Sequence, residues 1–197
     1  WLHRIVRTIV YKTSHAFLGA SKSSKELYKS YGIKGEKIFQ SHLCVENERF
    51  RNEYNHNDRP YDLMFSGNFI DIKRPVFFAE VVSKVEKRFK GIKVLILGDG
   101  PLKNEFMMMM NASGVDYDYP GFVQQSELPS YYGKTKLFLF TTKHDAWGVV
   151  ANEALASGTP VLVTPHAGVA GDLVQDGDNG YVLEPDSDVW AERIIEL

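Results

Sequence analysis

The sequence holds one cysteine, Cys44, among 197 residues. No internal disulfide can form, so packing must hold the fold, and a lone thiol fits a reducing compartment. No apolar run reaches the ~18 residues needed to cross a bilayer. Neither sign of charge dominates: 23 Lys and Arg against 25 Asp and Glu leave a net charge of −2. That balance argues against a nucleic acid held mainly through its phosphates. Metal-ligand spacing is missing, because His42, His144 and His166 stand apart, and no metal is expected. Ser21 and Ser157 sit in no nucleophile elbow. The dinucleotide fingerprint G-x-G-x-x-G is absent too, and "LGDGP" reads as a plain glycine turn after a strand. No signal peptide is visible. The chain opens at Trp1 without an initiator Met and stops at "ERIIEL", inside a helix-like segment. It reads as a piece of a longer cytoplasmic protein.

What is present is material for a core: 44% of the residues are hydrophobic and 24% charged, as in an ordinary globular chain. From Tyr61 onward short apolar runs alternate with helix-length segments. The runs are "YDLMFS" (61–66), "KVLILG" (93–98), "VDYDY" (115–119), "LFLFT" (137–141), "VLVT" (161–164) and "YVL" (181–183). Between them lie helical patterns over 75–89, 102–113, 126–133 and 149–156, with a short one at "AGDLV" (170–174). Within the second, "MMMM" reads as core filler. The alternation predicts βαβ units and an α/β fold: a doubly wound, parallel, six-stranded, Rossmann-like sheet. Residues 1–60 differ. "WLHRIVRTIVYK" spaces Trp1, Leu2, Ile5, Val6, Ile9 and Val10 as a helix. Its apolar face is expected to pack on protein, with peripheral contact at the inner face of a membrane as the alternative. "AFLGAS" reads as a strand, "SSKELYKSYG" as a helix stopped by Gly32, "EKIFQSHLCV" as a strand, and the polar stretch 46–60 as a linker.

Ligands of open parallel sheets bind beyond the carboxyl ends of the strands, and the unusual local sequences fall there. "HDAWGVVANEALASGTPV" carries two acids, Asp145 and Glu153, with seven residues between them. Gly148 marks the start of a helix, where free N–H groups favour an anion. Glu153 shares a helix face with Val149 and Ala156, so it should be partly buried and in need of donors. A purely local role stays open: Asp145 as an N-cap, and Glu153 paired with a nearby Lys or backbone N–H. In "SGNFIDIKRP", Lys73 precedes a helix opened by Pro75. A cation there opposes the helix dipole unless an anion lies between; a solvated lysine is the plainer reading. "PGFVQQSELPSYY" is a strand end and a helix opened by Ser126, with backbone suited to a flat base or to ordinary capping.

Taken together, "DAWGVVANEALASGTPVLVT", "AGVAGDLVQDGDNGYVLEPD", "FSGNFIDIKRP", "LILGDGP" and "GFVQQSELPSYY" resemble the C-terminal domain of the group 1 glycosyltransferases, retaining enzymes of the GT-B fold. The resemblance implies that residues 61–197 are a nucleotide-sugar-binding domain. Residues 1–60 look like the tail of the family's N-terminal domain and the crossover from it. It further implies that Asp145 meets donor-sugar hydroxyls and carries the catalytic role, that Glu153 meets the ribose, and that the backbone of Gly148, Val149 and Val150 holds the diphosphate. The family's two diphosphate cations fall on Asn68 and Lys73, and Val123 with Leu128 borders the base. The implied partners are a nucleoside-diphosphate sugar and a carbohydrate or lipid-linked acceptor, with no cofactor and no metal. Two positions depart from the pattern. Asn68 stands where the arginine is usual, and Asp145, shorter than glutamate by about 1.5 Å, where the first glutamate is. A non-catalytic nucleotide-sugar-binding subunit and a nucleotide-sugar epimerase are the alternative readings.

Overall fold

Alternating apolar and amphipathic segments dictate layers, and layers are what form. The computed structural model describes residues 2–52 and 54–197, and side chains from Ile5 onward; Trp1 and the side chain of Leu2, both assigned above to an apolar helix face, lie outside the described residues. In chain order the elements are α1 (Leu2–Thr13), β1 (Phe17–Gly19), α2 (Lys22–Ser30), β2 (Ile38–Gln40), α3 (Asn47–Phe50), β3 (Tyr61–Ser66), α4 (Pro75–Arg88) and β4 (Lys93–Leu97). They continue with α5 (Lys103–Ser113), β5 (Asp116–Gly121), α6 (Leu128–Tyr132), β6 (Thr135–Phe140), α7 (Val149–Ala156), β7 (Val161–Val163), β8 (Gly180–Val182) and α8 (Ser187–Glu196). Two compact units result, Trp1–Leu43 and Cys44–Leu197.

In the second unit six parallel strands lie in the order β5-β4-β3-β6-β7-β8. The order runs outward from β3 in one direction, then returns to its other side through β6. The topological switch point therefore lies between the carboxyl ends of β3 and β6, where the chain reverses direction across the sheet and where such sheets form a ligand crevice. Strand side chains alternate between faces. Leu63, Phe65, Val94, Ile96, Leu137, Leu139 and Leu162 point to one face and form a core with α4, α5 and α8. At its centre Phe65, Phe69, Phe78 and Phe106 pack edge to face. Trp190 is fully buried against Phe77 and donates its indole N–H to the Glu184 carbonyl at 2.9 Å. The methionine run divides: Met110 is buried, Met107 and Met109 pack on the core, and Met108 is 66% exposed.

The glycine turn at 98–100 is structural. A Cβ on Gly98 would lie 1.9 Å from the Gly67 carbonyl oxygen, and one on Gly100 would lie 2.8 Å from the Phe69 backbone. The turns after β3 and β4 interlock through Phe69 N–H to Asp99 O and Leu102 N–H to Phe69 O, both 2.9 Å. Three local expectations need correction. "AGDLV" is a turn and not a helix: the N–H groups of Asp172, Leu173 and Val174 all converge on the Val169 carbonyl, and Gly171 is left-handed at φ +70°. Five residues with such a glycine cannot propagate a helix. The helix after β5 begins at Leu128, capped at Glu127, so Ser126 does not open it. The expected linker is also no loose tether. Phe50 is buried edge-on to Tyr132, and Arg59, 6% exposed, donates to Thr135 O at 2.8 Å, Thr159 Oγ1 at 2.6 Å and Ser157 O at 3.0 Å.

The first unit pairs β1 and β2 in parallel over Phe17, Ile33 and Ile38, with Tyr11 and Tyr28 packed on them. Gly32, at φ +82°, ends α2 as expected, its N–H bonding Lys29 O at 2.8 Å. Within the chain the apolar face of α1 is left uncovered. Ile5, Val6, Ile9 and Val10 are 38–56% exposed, because the small core beneath reaches only Tyr11. No helix among the described residues is long and apolar enough to cross a membrane.

Candidate functional site

The crevice between β3 and β6 is built by stitching two loops together. Beyond β3 the chain turns at Gly67, exposes Asn68, anchors itself with the fully buried Phe69 and makes a short 3₁₀ turn over Asp71–Lys73. Beyond β6, two buried threonines hold that turn. Thr141 Oγ1 donates to Lys73 O at 2.7 Å, and Thr142 Oγ1 to Ile72 O at 3.0 Å. Lys143 adds its N–H to Ile72 O at 2.7 Å, and its ammonium reaches both oxygens of Asp71 at 2.6 Å. The result is a fixed Lys73, whose ammonium lies 2.5 Å from Asp145 Oδ2 with the two side chains 25% and 23% exposed. Lys73 is thus not the freely solvated lysine of the plainer reading. Arg74 is turned aside: at φ 54° it caps α4, and its guanidinium lies 4.5 Å over the Phe77 ring.

Asp145 begins the loop that feeds α7. Its Oδ1 accepts the Trp147 N–H at 3.1 Å. The loop "DAWG" is laid against "HAGV" by Gly168 N–H to Asp145 O and Val169 N–H to Trp147 O, both 2.9 Å. A Cβ on Gly168 would lie 2.2 Å from Ala146 O, so only glycine permits that approach. Thr164 Oγ1 ties the same region to Thr142 O at 2.6 Å. Trp147 is buried and donates its indole N–H to Asn152 Oδ1 at 2.8 Å. The cap of α7 is Gly148, at φ 110°, so Asp145 is not its N-cap. Among the described residues the N–H groups of Val149 and Val150 meet no acceptor, while that of Ala151 bonds Gly148 O at 2.9 Å. Two bare donors at the positive end of a helix dipole suit an anion. One ring, Phe140, lies under both parts of the site: Lys73 Nζ is 5.4 Å above its centroid, and a Cβ on Gly148 would touch its Cε1 at 2.5 Å. Gly148→Ala should therefore lower stability by about 1–2 kcal/mol, the left-handed penalty for an L-residue, and weaken anion binding. Chemical unfolding and phosphate titration check it; an unchanged midpoint with unchanged anion affinity contradicts the reading.

Glu153, one turn along α7, is 5% exposed. Burial pushes its carboxyl above the usual carboxylate range, offset in part by a hydrogen bond from Tyr132 and by the charge of Arg49. The Tyr132 hydroxyl is itself raised well above the usual range, first by burial and then by Glu153, and lies 3.3 Å from Ser66 Oγ. In place of the local partners envisaged for Glu153, a Lys or a backbone N–H, its neighbour is the Tyr132 hydroxyl of α6, with the charge of Arg49 acting only through space. Leu128 opens α6, and Val123 lies half-buried in the loop before it. That loop is also held by Arg49, which donates to Gln125 O. The structure brings Lys73 and Asp145 into direct contact and sets Gly148 on the same ring as Lys73, while Glu153 is joined to α6 through Tyr132. Asn68 stays exposed above the crevice. Sequence reasoning missed Thr141, Thr142, Tyr132 and Arg49. The paired threonines did leave a signal, since polar residues ending a fully apolar strand must find partners once buried.

Residues 46–197 match the family described as glycosyl transferases group 1. The chain belongs to the group 1 glycosyltransferases. Among curated relatives of this glycosyltransferase chain, N-acetyl-alpha-D-glucosaminyl L-malate synthase of Bacillus anthracis is 23% identical over 198 residues, covering 96% of the chain and 50% of the relative. An alpha-1,4-N-acetyl-D-galactosaminyltransferase of Campylobacter jejuni is 22% identical over 196 residues, covering 98% of the chain and 53% of the relative. The chain thus spans about half the length of these relatives. Among solved structures, Anabaena Alr3699/HepE in complex with UDP superposes with a TM-score of 0.82 at 16% identity, covering 98% of the chain and 56% of its own. TarM of S. aureus reaches 0.79 at 20% identity, covering 95% and 37%. The fold is that of GT-B glycosyltransferases.

Proposed function

We propose that the chain is the donor-binding half of a retaining glycosyltransferase, which passes a hexosyl unit from a nucleoside-diphosphate sugar to a polysaccharide or glycolipid acceptor. The observation that carries this reading is the pair of bare N–H groups at the start of α7, set with Lys73 around the Phe140 ring in the crevice between β3 and β6. A diphosphate there gains two backbone donors and a helix dipole, fixed before it arrives, and the ammonium of Lys73. Glu153, one turn deeper and buried, takes the ribose hydroxyls. The base lies along the loop of Val123 and Leu128, and the sugar faces Asp145. Among the described residues no side chain of the crevice is assigned the role of general base. The acceptor hydroxyl therefore passes its proton to the leaving diphosphate as the C1–O bond to that phosphate breaks and the new glycosidic bond forms on the same face. Lys73 and the α7 dipole neutralise the leaving group without a metal.

UDP, bound in the Anabaena neighbour, is the first nucleotide to test, with GDP and ADP beside it. Calorimetry of the 197-residue chain should show binding of one of the three, unaffected by a chelator, with no sugar transfer to an added acceptor, because half the length of its relatives is not included. Failure to bind any nucleotide, or a requirement for divalent metal, sinks the reading. A second reading, a nucleotide-sugar-binding subunit without activity, draws on one observation. Asn68 is neutral, and Arg74, a candidate replacement cation, is turned onto Phe77. Transfer by a full-length enzyme containing this chain decides between them.

A further inference from the structure

In the free chain the cations around the crevice are already engaged. Lys73 is paired with Asp145 at 2.5 Å, and Lys143 with both oxygens of Asp71 at 2.6 Å. The Arg74 guanidinium lies over Phe77. Asp145 is held from its other side by the Trp147 N–H at 3.1 Å, so its carboxylate keeps its place whether or not Lys73 stays. A negative charge consequently stands in the loop that leads straight into the two bare N–H groups of α7. A phosphate arriving there needs the same ammonium that Asp145 holds.

We propose that Asp145 and the donor diphosphate compete for Lys73: the free site is closed by the Lys73–Asp145 pair, and binding opens it by an exchange of lysine partners. The proposal rests on reading the crevice as the donor site. Lysine suits the exchange, since its ammonium is a point charge on a flexible stem, with no planar fork to realign. The neutral Asn68 strengthens it, since it brings no second charge to meet the phosphates while Lys73 is engaged. Once Lys73 turns to the diphosphate, the Asp145 carboxylate, still fixed by Trp147, is left facing the space where the sugar follows. Occupancy by diphosphate then prepares the acid for the sugar.

A double-mutant cycle tests the exchange. The chain, Asp145→Asn, Lys73→Met and the double variant are titrated with UDP, GDP and ADP, and the tightest binder is carried through the cycle. Asparagine keeps an oxygen for the Trp147 N–H and removes only the competing charge. Asp145→Asn should bind the diphosphate about threefold or more tightly than the unsubstituted chain, the scale of a partly exposed ion pair that no longer has to be broken. The gain should vanish in the Lys73→Met background. Asp145→Ala, which also frees Lys73, should shift affinity in the same direction. Unchanged or weaker binding by both Asp145 variants overturns the proposal while leaving the donor-site reading intact. A gain that persists without Lys73 also overturns it, marking a general charge effect. If the unsubstituted chain binds none of the three nucleotides, the donor-site reading fails and the exchange fails with it.

Discussion

Lys73→Met should weaken binding of a nucleoside diphosphate by about ten- to a hundredfold, the worth of one charge-assisted contact, and leave binding of the bare nucleoside nearly unchanged. The variant removes the one ammonium that the stitched turn after β3 delivers to the crevice, since Arg74 stacks on Phe77 and position 68 is neutral. Methionine keeps the stem over the Phe140 ring, which confines the change to charge. In the proposed donor site the nucleoside lies against Glu153 and the loop at Val123, which the substitution does not touch. Parallel titrations with nucleoside and diphosphate check this. Equal losses for the two would mean that Lys73 acts by holding the fold of the crevice, through its pair with Asp145, and not by meeting phosphate.

The architecture was legible because it rests on periodicity. Six apolar runs bounded by turn residues read as parallel strands, the inner four buried and the edge strands β5 and β8 only in part, and α7 was placed residue for residue by "VVANEALA" between Gly148 and Ser157. The site was legible in part. Gly148 announced a helix start, and the depth of Glu153 followed from its face of α7. What could not be read was partnership across the sheet. Lys73 and Asp145 lie 72 positions apart, and only the strand order, with β6 beside β3, makes them neighbours. The threonine stitches and the Tyr132–Glu153 contact are hidden for the same reason. The apolar stripe of α1 was legible too, though it finds no cover in the small core of its unit.

Glu153→Gln should separate stability from binding in opposite directions. Burial holds the Glu153 carboxyl above its usual value of 4.5, so the folded chain takes up a proton there more readily than the unfolded chain does. The sign follows from linkage. A group raised in the fold contributes stability that is complete below its unfolded pKa and is lost as pH rises through the folded one. Once ionised, Glu153 therefore works against the ligand-free fold, relieved only in part by Tyr132 and Arg49. Glutamine removes that charge and still offers an oxygen to the Tyr132 hydroxyl, so the variant should be at least as stable as the original at neutral pH. Its advantage should shrink as pH falls toward about 4.5, the ordinary carboxylate range. Binding should go the other way. Ribose hydroxyls donate to a carboxylate more strongly than to an amide oxygen, so the variant should lose about tenfold or more in affinity for nucleoside and nucleoside diphosphate alike. Lys73→Met, by contrast, should spare the nucleoside. Urea unfolding at several pH values and paired titrations give both readouts. A variant that is less stable at neutral pH and binds nucleotide as well as the original would show Glu153 to be a structural partner of Tyr132 and Arg49, with the ribose bound elsewhere.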